Sequence, residues 1–463
     1  MTTETETATT DGLADMMATL RGLCRTGRTR GYDWRIRQLE GIERFCAQEE
    51  KAIAEALAAD LGRPAFDAWF ADVASSAAEA RFARKHLRSW MRPVKQRLPM
   101  VQAPGKARIQ YEPLGVVLVI APWNYPVYLA LGPLVAAVAA GNCVVVKPSE
   151  LAPATSRLLA EVLVRYVDAD AIRVVEGDGA TTQELLALGF DHALFTGGTE
   201  VGRKIMAGAA PSLTPVTLEL GGKSPVIVTA DADLGVTARR IAWVKTMNSG
   251  QTCIAPDYVL VEESVKEALI AELRTALTAV TRDRPDGLPI VNDRQYDRLA
   301  SALKATKGEI VHGGQLDDRR CRITPALVID PDLDEPAMTE EIFGPILPIL
   351  GYRSQREVID LVNARPKPLA LYVFAKDTAV ADRLIEAIPA GGAVVNHVAI
   401  HCLVPSLPFG GVGASGMGAY HGEWGFWTLS HRKAVVTKPF KPDPRMFYPP
   451  YGKVARGLMR RLF

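Results

Sequence analysis

The spacing of apolar and polar positions divides the chain into distinct stretches. Residues 11–92 are dominated by Ala, Leu, Arg and Glu and read as helical. Residues 93–111 are basic and broken by Pro and Gly, ending in a β-like run at 107–111. The next stretch, 114–146, holds no charged residue and by length would suit a membrane span. Pro122, Asn124, Pro126, Pro133 and Asn142 argue against that reading, because they cut it into strand, loop, helix and strand. Residues 116–120 and 143–146 are β-branched runs, and 129–140 between them is apolar and helical. This is the β-α-β unit of a buried parallel sheet. The alternation continues with a helix at 153–167, a strand at 172–176, a helix at 181–188 and a strand at 192–196. A second α/β stretch runs from Pro225 to about Val395, interrupted by a Pro/Glu-rich loop at 331–345. The pattern predicts an α/β fold built on two parallel sheets.

At 463 residues the chain has room for two or three domains with separate cores. Its 48% hydrophobic and 23% charged content is that of a globular protein, and a net charge of +2 gives no reason to expect a nucleic-acid partner. The cysteines at 24, 46, 143, 253, 321 and 402 form no CxxC pair, so reduced thiols are expected. The start of the chain is acidic and Thr-rich, without the basic and apolar regions of a signal peptide, which suggests a cytoplasmic protein. At the other end, residues 451–463 read as a short basic amphipathic helix with Val454, Leu458 and Leu462 on one stripe. Such a helix can touch an anionic membrane, but packing on the protein's own surface or on a dimer partner is the preferred reading.

Candidate chemistry centres on Cys253, in Asn248-Ser249-Gly250-Gln251-Thr252-Cys253, and on Glu219, which precedes Gly221-Gly222. A thiol supplies a nucleophile and a carboxylate supplies a base for water, a pairing suited to a thioester that forms and is then hydrolysed. A free cysteine is more often a core residue, and Glu219 alone reads equally well as a partner for Lys223. Asn124 reads as a turn asparagine or as an oxyanion donor. Gly197-Gly198-Thr199-Glu200-Val201-Gly202 follows a strand and opens a helix, where backbone approaches a pyrophosphate closely. Lys147 and Glu150 follow another strand and, taken alone, suggest a solvated ion pair. Glu341 and Phe343 would by themselves be a capping Glu and a core Phe, and Phe409 a plug in a Gly-rich loop. His397 and His401, at i and i+4 beside Cys402, have metal-ligand spacing but no further partner. A tunnel or interface loop is preferred there, with no metal.

Seven segments in order make the sequence resemble the aldehyde dehydrogenase superfamily. They are Pro122-Trp123-Asn124-Tyr125-Pro126, Lys147-Pro148-Ser149-Glu150, Phe195-Thr196-Gly197-Gly198-Thr199, Glu219-Leu220-Gly221-Gly222-Lys223, Gly250-Gln251-Thr252-Cys253, Glu341-Ile342-Phe343-Gly344-Pro345 and Leu407-Pro408-Phe409-Gly410-Gly411-Val412-Gly413. Cys253-Ile254-Ala255-Pro256-Asp257-Tyr258 and the run from Ser415 to Gly422 resemble the class 3 branch, and within it bacterial coniferyl-aldehyde dehydrogenases.

The resemblance implies Cys253 as nucleophile with a lowered pKa, Glu219 as general base and Asn124 as oxyanion donor. It implies a cofactor site with Trp123, Lys147, Glu150, Gly197, Gly198, Thr199, Gly202, Glu341 and Phe343, and a substrate tunnel with Tyr125 and Phe409. Glu150 favours NAD, with NADP possible. Glu219 favours release of a free acid over transfer to CoA. The substrate implied is an aromatic aldehyde such as coniferaldehyde, with a medium or long aliphatic aldehyde as the alternative. A CoA-acylating enzyme and a non-catalytic homologue are further alternatives. The domains implied are a Rossmann-like cofactor domain (1–92 and 112–219), a catalytic domain (220–395), a bridging element (93–111 and 396–440) that forms a homodimer, and the basic tail (441–463). One departure is Asn396-His397, where this branch usually has Asn-Asp; it bears on the loop at the tunnel mouth.

Overall fold

The computed structural model describes residues 10–462; the acidic start of the chain, residues 1–9, lies outside them. The helical N-terminal stretch forms Thr10–Thr26, Tyr32–Gln48, Glu50–Leu61 and Ser75–Trp90, with a helical turn at Ala65–Ala68 running into a π-helical turn at Trp69–Ala74. Leu39, Ile42 and Phe45 on the second helix and Ala83 and Leu87 on the last face inward. There they cover the helix Tyr128–Ala140, which is apolar on all sides and buried along nearly its whole length.

That helix lies on a six-stranded sheet. In spatial order the strands are Gly416–Met417, Val216–Glu219, His192–Thr196, Val116–Ile120, Cys143–Lys147 and Ile172–Val174. All are parallel except the short first one, which pairs antiparallel with Val216–Glu219. The central strands are buried at every position on both faces, which accounts for the β-branched runs of Val116–Ile120 and Cys143–Lys147 and for the mostly apolar His192–Thr196. The supposed membrane span at 114–146 is two neighbouring strands of this sheet and the helix between them. Among the described residues no helix is long and apolar enough to cross a membrane.

A seven-stranded sheet follows, in the order Glu309–His312, Ala326–Ile329, Ile346–Tyr352, Tyr258–Glu262, Pro225–Val228, Ala370–Phe374 and Gly392–Val395. It too is parallel apart from one edge strand, Glu309–His312. A three-stranded antiparallel sheet joins Val94–Gln96, Lys106–Pro113 and Ser430–Thr437.

Several boundaries differ from the sequence pattern. The helix expected at 153–167 ends at Glu161 and continues as a 3-10 turn, Leu163–Arg165. The strand expected at 172–176 stops at Val174, and the next helix begins early, at Gly179, because Asp178 caps it by accepting from Ala180 N at 2.9 Å and Thr181 N at 3.2 Å. The loop at 331–345 contains a turn of helix, Pro336–Thr339. The tail does form a helix, Lys453–Leu462, but two residues of its predicted stripe, Val454 and Leu458, are exposed, and Ala455 is buried instead; the side chain of Leu462 lies outside the described part.

Candidate active site

The order of the six-stranded sheet reverses between Val116–Ile120 and His192–Thr196, since consecutive strands build outward from that point in both directions. The loops leaving these two strands, Ala121–Asn124 and Gly197–Gly198, therefore diverge and open a cleft at the carboxyl edge of the sheet, where parallel α/β sheets bind ligands. The cleft measures about 700 Å³, a size suited to a dinucleotide.

Its walls carry most of the residues predicted for the cofactor. Lys147, at the end of its strand and only 3% exposed, donates to Glu150 Oε2 at 2.9 Å, while Glu150 remains open to solvent. Gly198 caps the helix Thr199–Ala209 with no side chain in the way, so the helix N-terminus faces the cleft. Trp123 and Phe343 meet edge to face, with ring centroids 5.5 Å apart. Glu341 lies so close to Gly221 that a Cβ there would fall 2.2 Å from its carboxylate, so any side chain at 221 displaces Glu341. Burial, and then the nearby Asp257, push the Glu341 carboxyl up to about 8. Thr199 and Gly202 do not line the cleft. The Thr199 hydroxyl donates to Ala414 O, and Gly202 lets the helix pack on Leu220, where a Cβ would come within 2.7 Å.

Cys253 follows the helix Leu234–Thr246 and a tight turn, Met247–Gly250, in which Asn248 and Ser249 both have left-handed backbone (φ 51° and 52°). Such strain persists only where surrounding contacts fix it. Ser249 Oγ donates to Leu288 O and accepts from Leu288 N, both at 2.7 Å. Gln251 Nε2 donates to Asn248 O and Pro289 O, and Lys245 Nζ donates to Pro256 O at 2.9 Å. A Cβ at Gly250 would meet Gly344 O at 2.3 Å. Each polar residue of this segment thus holds the loop that presents the thiol.

Asn124 lies beside this loop, 3% exposed, and donates from Nδ2 to Gln251 O at 3.1 Å. An amide nitrogen carries two hydrogens, so one donor remains. Glu219 ends its strand 2% exposed, and neither carboxylate oxygen has a partner. Lys223 does not pair with it; it binds Asp257 and the carbonyls of Ala337 and Glu340 instead. Burial in apolar surroundings pushes the Glu219 carboxyl well above its ordinary value. The Cys253 thiol is likewise pushed up, by burial first and then by Glu341, Cys402 and Glu219. The lowered thiol pKa expected from the sequence is corrected here: burial dominates, and the acidic neighbours Glu341, Cys402 and Glu219 add to it.

On the far side of Cys253 a second cavity of about 110 Å³ runs between Tyr125, Tyr128, Trp243, Phe409 and Tyr420. Tyr125 hydrogen-bonds Thr252 Oγ1 at 2.6 Å, coupling the wall to the residue before Cys253. His421 faces this space with Nδ1 3.4 Å from Glu79 Oε2. Phe70, Trp243, Ile400 and Leu403, all exposed, surround its outer end. His397 rests against Trp243 and His401 against Phe409, and among the described residues no group of three His, Cys, Asp or Glu side chains is set to hold a metal. The two cavities share Cys253, Glu219, Thr196 and Leu129.

Other members of the site carried no sequence signal. Arg63, 2% exposed, pairs with the fully buried Asp72 and donates to Asn124 O at 2.5 Å. Asp72 in turn accepts from Val127 N and Tyr128 N. Arg298 donates to Glu341 O and Ile342 O, holding the Glu341 loop against the cleft. Thr196 Oγ1, on the strand beside Glu219, is buried without a partner.

A doubly wound sheet with a dinucleotide-sized cleft, opening through a buried thiol onto an apolar tunnel, defines an oxidoreductase of α/β type. The family model for the aldehyde dehydrogenase family matches residues 25–435, and the chain belongs to that family. It is 44% identical over 456 residues to aldehyde dehydrogenase family 3 member H1 of Arabidopsis thaliana, covering 97% of this chain and 94% of that protein. It is likewise 44% identical over 439 residues to family 3 member A2 of Mus musculus, covering 93% and 90%. The solved substrate-bound state of Staphylococcus aureus AldH matches with a TM-score of 0.93 and 39% identity, over 97% of this chain and 99% of that one. These relatives support the class 3-like branch; they do not carry the finer resemblance to coniferyl-aldehyde dehydrogenases. The enzyme acts on aldehydes and, as a member of its family, uses NAD(P).

Proposed function

We propose that the enzyme oxidises a hydrophobic aldehyde, an aromatic one by preference, to the free carboxylic acid with NAD. The observation that carries this reading is the meeting of the apolar tunnel and the cofactor cleft at Cys253 and Glu219. Cys253 Sγ adds to the aldehyde carbon entering from the tunnel. The free N–H of Asn124 Nδ2 and the Cys253 backbone N–H stabilise the oxyanion that forms. NAD(P), when bound, supplies the hydride acceptor and a positive ring beside the thiol. Loss of hydride leaves a thioester on Cys253, and Glu219 removes a proton from the water that cleaves it. Because Glu219 is buried among apolar groups at the thioester, hydrolysis is favoured over transfer to CoA.

The fit of the cofactor rests on Lys147 and Glu150 beside the ribose, Gly197 and Gly198 at the pyrophosphate, and Glu341 with Phe343 and Trp123 at the nicotinamide end. Thr199 and Gly202 support the glycine turn from behind. The exposed carboxylate of Glu150 opposes a 2′-phosphate, hence NAD. Tyr125, Tyr128, Phe409 and Tyr420 give the tunnel flat aromatic walls. Its volume compares with the roughly 150 Å³ apolar cavity known to take up benzene. The exposed Trp243 and Leu403 at its outer end support a second reading, an aliphatic chain that extends past the rim.

In the same reading, residues 1–92 with 112–219 form the cofactor domain, 220–395 the catalytic domain, and 93–111 with 396–440 the bridging element. Both outer strands of the three-stranded sheet have an open edge, which suits a homodimer. Six free thiols suit a cytoplasmic enzyme.

NADH formation with coniferaldehyde, benzaldehyde, hexanal and dodecanal, each with NAD and with NADP, tests the proposal. A higher kcat/KM for the ring aldehydes is expected. Preference for dodecanal overturns the aromatic assignment, and undiminished turnover by Cys253→Ala overturns the mechanism.

A further inference from the structure

Two cysteines outside the active site meet on one backbone carbonyl. Cys24 lies near the end of the helix Thr10–Thr26, and Cys143 opens the strand Cys143–Lys147. Gly115 O accepts from Cys24 Sγ at 3.3 Å and from Cys143 N at 3.0 Å, which sets the Cys24 sulfur beside Cys143, whose thiol can donate to it once Cys24 is ionised. The pair sits at the amino edge of the six-stranded sheet, opposite the edge where Lys147 enters the cofactor cleft.

The partners differ in access. Cys143 is fully buried. Cys24 is partly exposed and forms part of the wall of a cavity of about 370 Å³, together with Arg21, Arg25, Arg30 and Asp191. They differ in acidity too. The hydrogen bond from Cys143 is the main cause that brings the Cys24 thiol down to about 7; burial and Asp191 oppose it and Arg30 assists. Cys143 moves the opposite way and keeps its proton. Cys46 and Cys402 are pushed up to about 12 and Cys321 to about 11, each chiefly by burial. An accessible acidic thiol in contact with a buried neutral one is the arrangement of an attacking and a resolving cysteine.

We propose that Cys24 and Cys143 form an oxidisable dithiol that closes to a disulfide when a hydroperoxide enters the arginine-walled cavity. The Cys24 thiolate attacks one peroxide oxygen and the O–O bond breaks. That oxygen stays on sulfur as a sulfenic acid, and the other leaves as hydroxide or alkoxide and takes up a proton. The Cys143 sulfur then attacks the sulfenic sulfur; the S–S bond forms, the S–O bond breaks, and water leaves with the Cys143 proton. Two thiols and one peroxide give one disulfide, one water and one water or alcohol. Both sulfurs are oxidised as the peroxide oxygens are reduced. The bond ties the first helix to the sheet core and leaves Cys253 free, so the site does not depend on the substrate assigned above.

The test uses full-length Cys253→Ala protein with NAD present, treated with one equivalent of hydrogen peroxide. Removal of Cys253 leaves five of the six thiols. Loss of two of these, an intact mass lower by two hydrogen atoms, and a linked Cys24–Cys143 peptide that dithiothreitol reverses are expected. In Cys253→Ala/Cys143→Ala, Cys24 accumulates as a sulfenic acid trapped by dimedone; in Cys253→Ala/Cys24→Ser the mass loss disappears. Cys24 is also expected to alkylate with iodoacetamide at neutral pH about tenfold faster than Cys321. The proposal is overturned if Cys24 reacts no faster than Cys321, or if peroxide oxidises Cys24 while Cys143 remains a free thiol.

Discussion

Arg63 donates from its guanidinium to the carbonyl oxygen of Asn124 at 2.5 Å, while its other terminal nitrogen pairs with Asp72. The residue proposed to stabilise the oxyanion is thus held from behind by a buried ion pair, and the Arg63 guanidinium also lies 4.7 Å from the centroid of the Tyr125 ring. Arg63→Ala leaves Asp72 buried without its cation, at a cost of about 3–5 kcal/mol. A marked drop in thermal midpoint is expected. Arg63→Lys keeps the charge but loses the planar fork that serves both partners. It should fold, with kcat down about tenfold, the scale of one misplaced electrostatic contact, and KM for NAD nearly unchanged. A wild-type kcat in Arg63→Lys would remove the positioning role.

The acids of the site predict opposite pH trends for activity and stability. Cys253 and Glu219 are held protonated mainly by burial, and both act in their ionised forms, so kcat/KM should climb from pH 6 into the alkaline range. Glu341 has its folded value raised to about 8 from the ordinary 4.5, so the folded protein binds more protons than the unfolded chain between those limits. Its contribution to stability is fully present below pH 4.5 and is lost as pH rises through about 8. The thermal midpoint should therefore fall across that window, and Glu341→Gln should flatten the fall. Equal slopes in the two proteins would disprove this assignment.

Where the chain was legible, burial on both faces had written itself into the composition. The strands Val116–Ile120 and His192–Thr196 match the expected strands residue for residue, and Pro122 and Pro126 fall in the loop that separates strand from helix. The site segments could be found because glycines and strained turns are fixed by close approaches, to the Glu341 carboxylate at Gly221 and to the Gly344 backbone at Gly250. Arg63, Asp72 and Arg298 were not legible. A charged residue in a helical stretch reads as solvated, and only the folded chain shows that Arg63 and Asp72 face inward together. The strand Gly416–Met417 read as part of a Gly-rich block, because two residues are too few for a period. The tail helix was found but its face was not: a stripe of Val454 and Leu458 could not reveal that Ala455 makes the contact.

Glu219→Gln separates the two halves of the proposed reaction. The amide fills the same buried space and removes the base, so addition of Cys253 and hydride loss continue while thioester hydrolysis slows. A rapid-mixing experiment should show a burst of NADH of about one per active site, followed by turnover slower by about 10²–10⁴-fold. Absence of the burst would shift Glu219 from deacylation to activation of the thiol. Turnover restored by CoA would favour the acylating alternative.

In the proposed reading Glu150 sets the preference for NAD. Its exposed carboxylate, 2.9 Å from Lys147 Nζ, stands where a 2′-phosphate would meet a like charge. Glu150→Gln removes that repulsion and frees the Lys147 ammonium, otherwise buried, to face the phosphate. At a separation of a few ångströms near a protein surface, one charge contact is worth on the order of 1–4 kcal/mol before screening. With solvent access to Glu150, the lower end applies, about tenfold in binding. The ratio of kcat/KM for NAD to that for NADP should therefore fall by about this factor, mainly through a lower KM for NADP. Titration of cofactor binding by quenching of Trp123 fluorescence gives the same comparison without turnover. If both ratios match those of the wild type, the discrimination lies elsewhere in the cleft, with Lys204, Arg294 and Arg298 as the remaining cations along its wall.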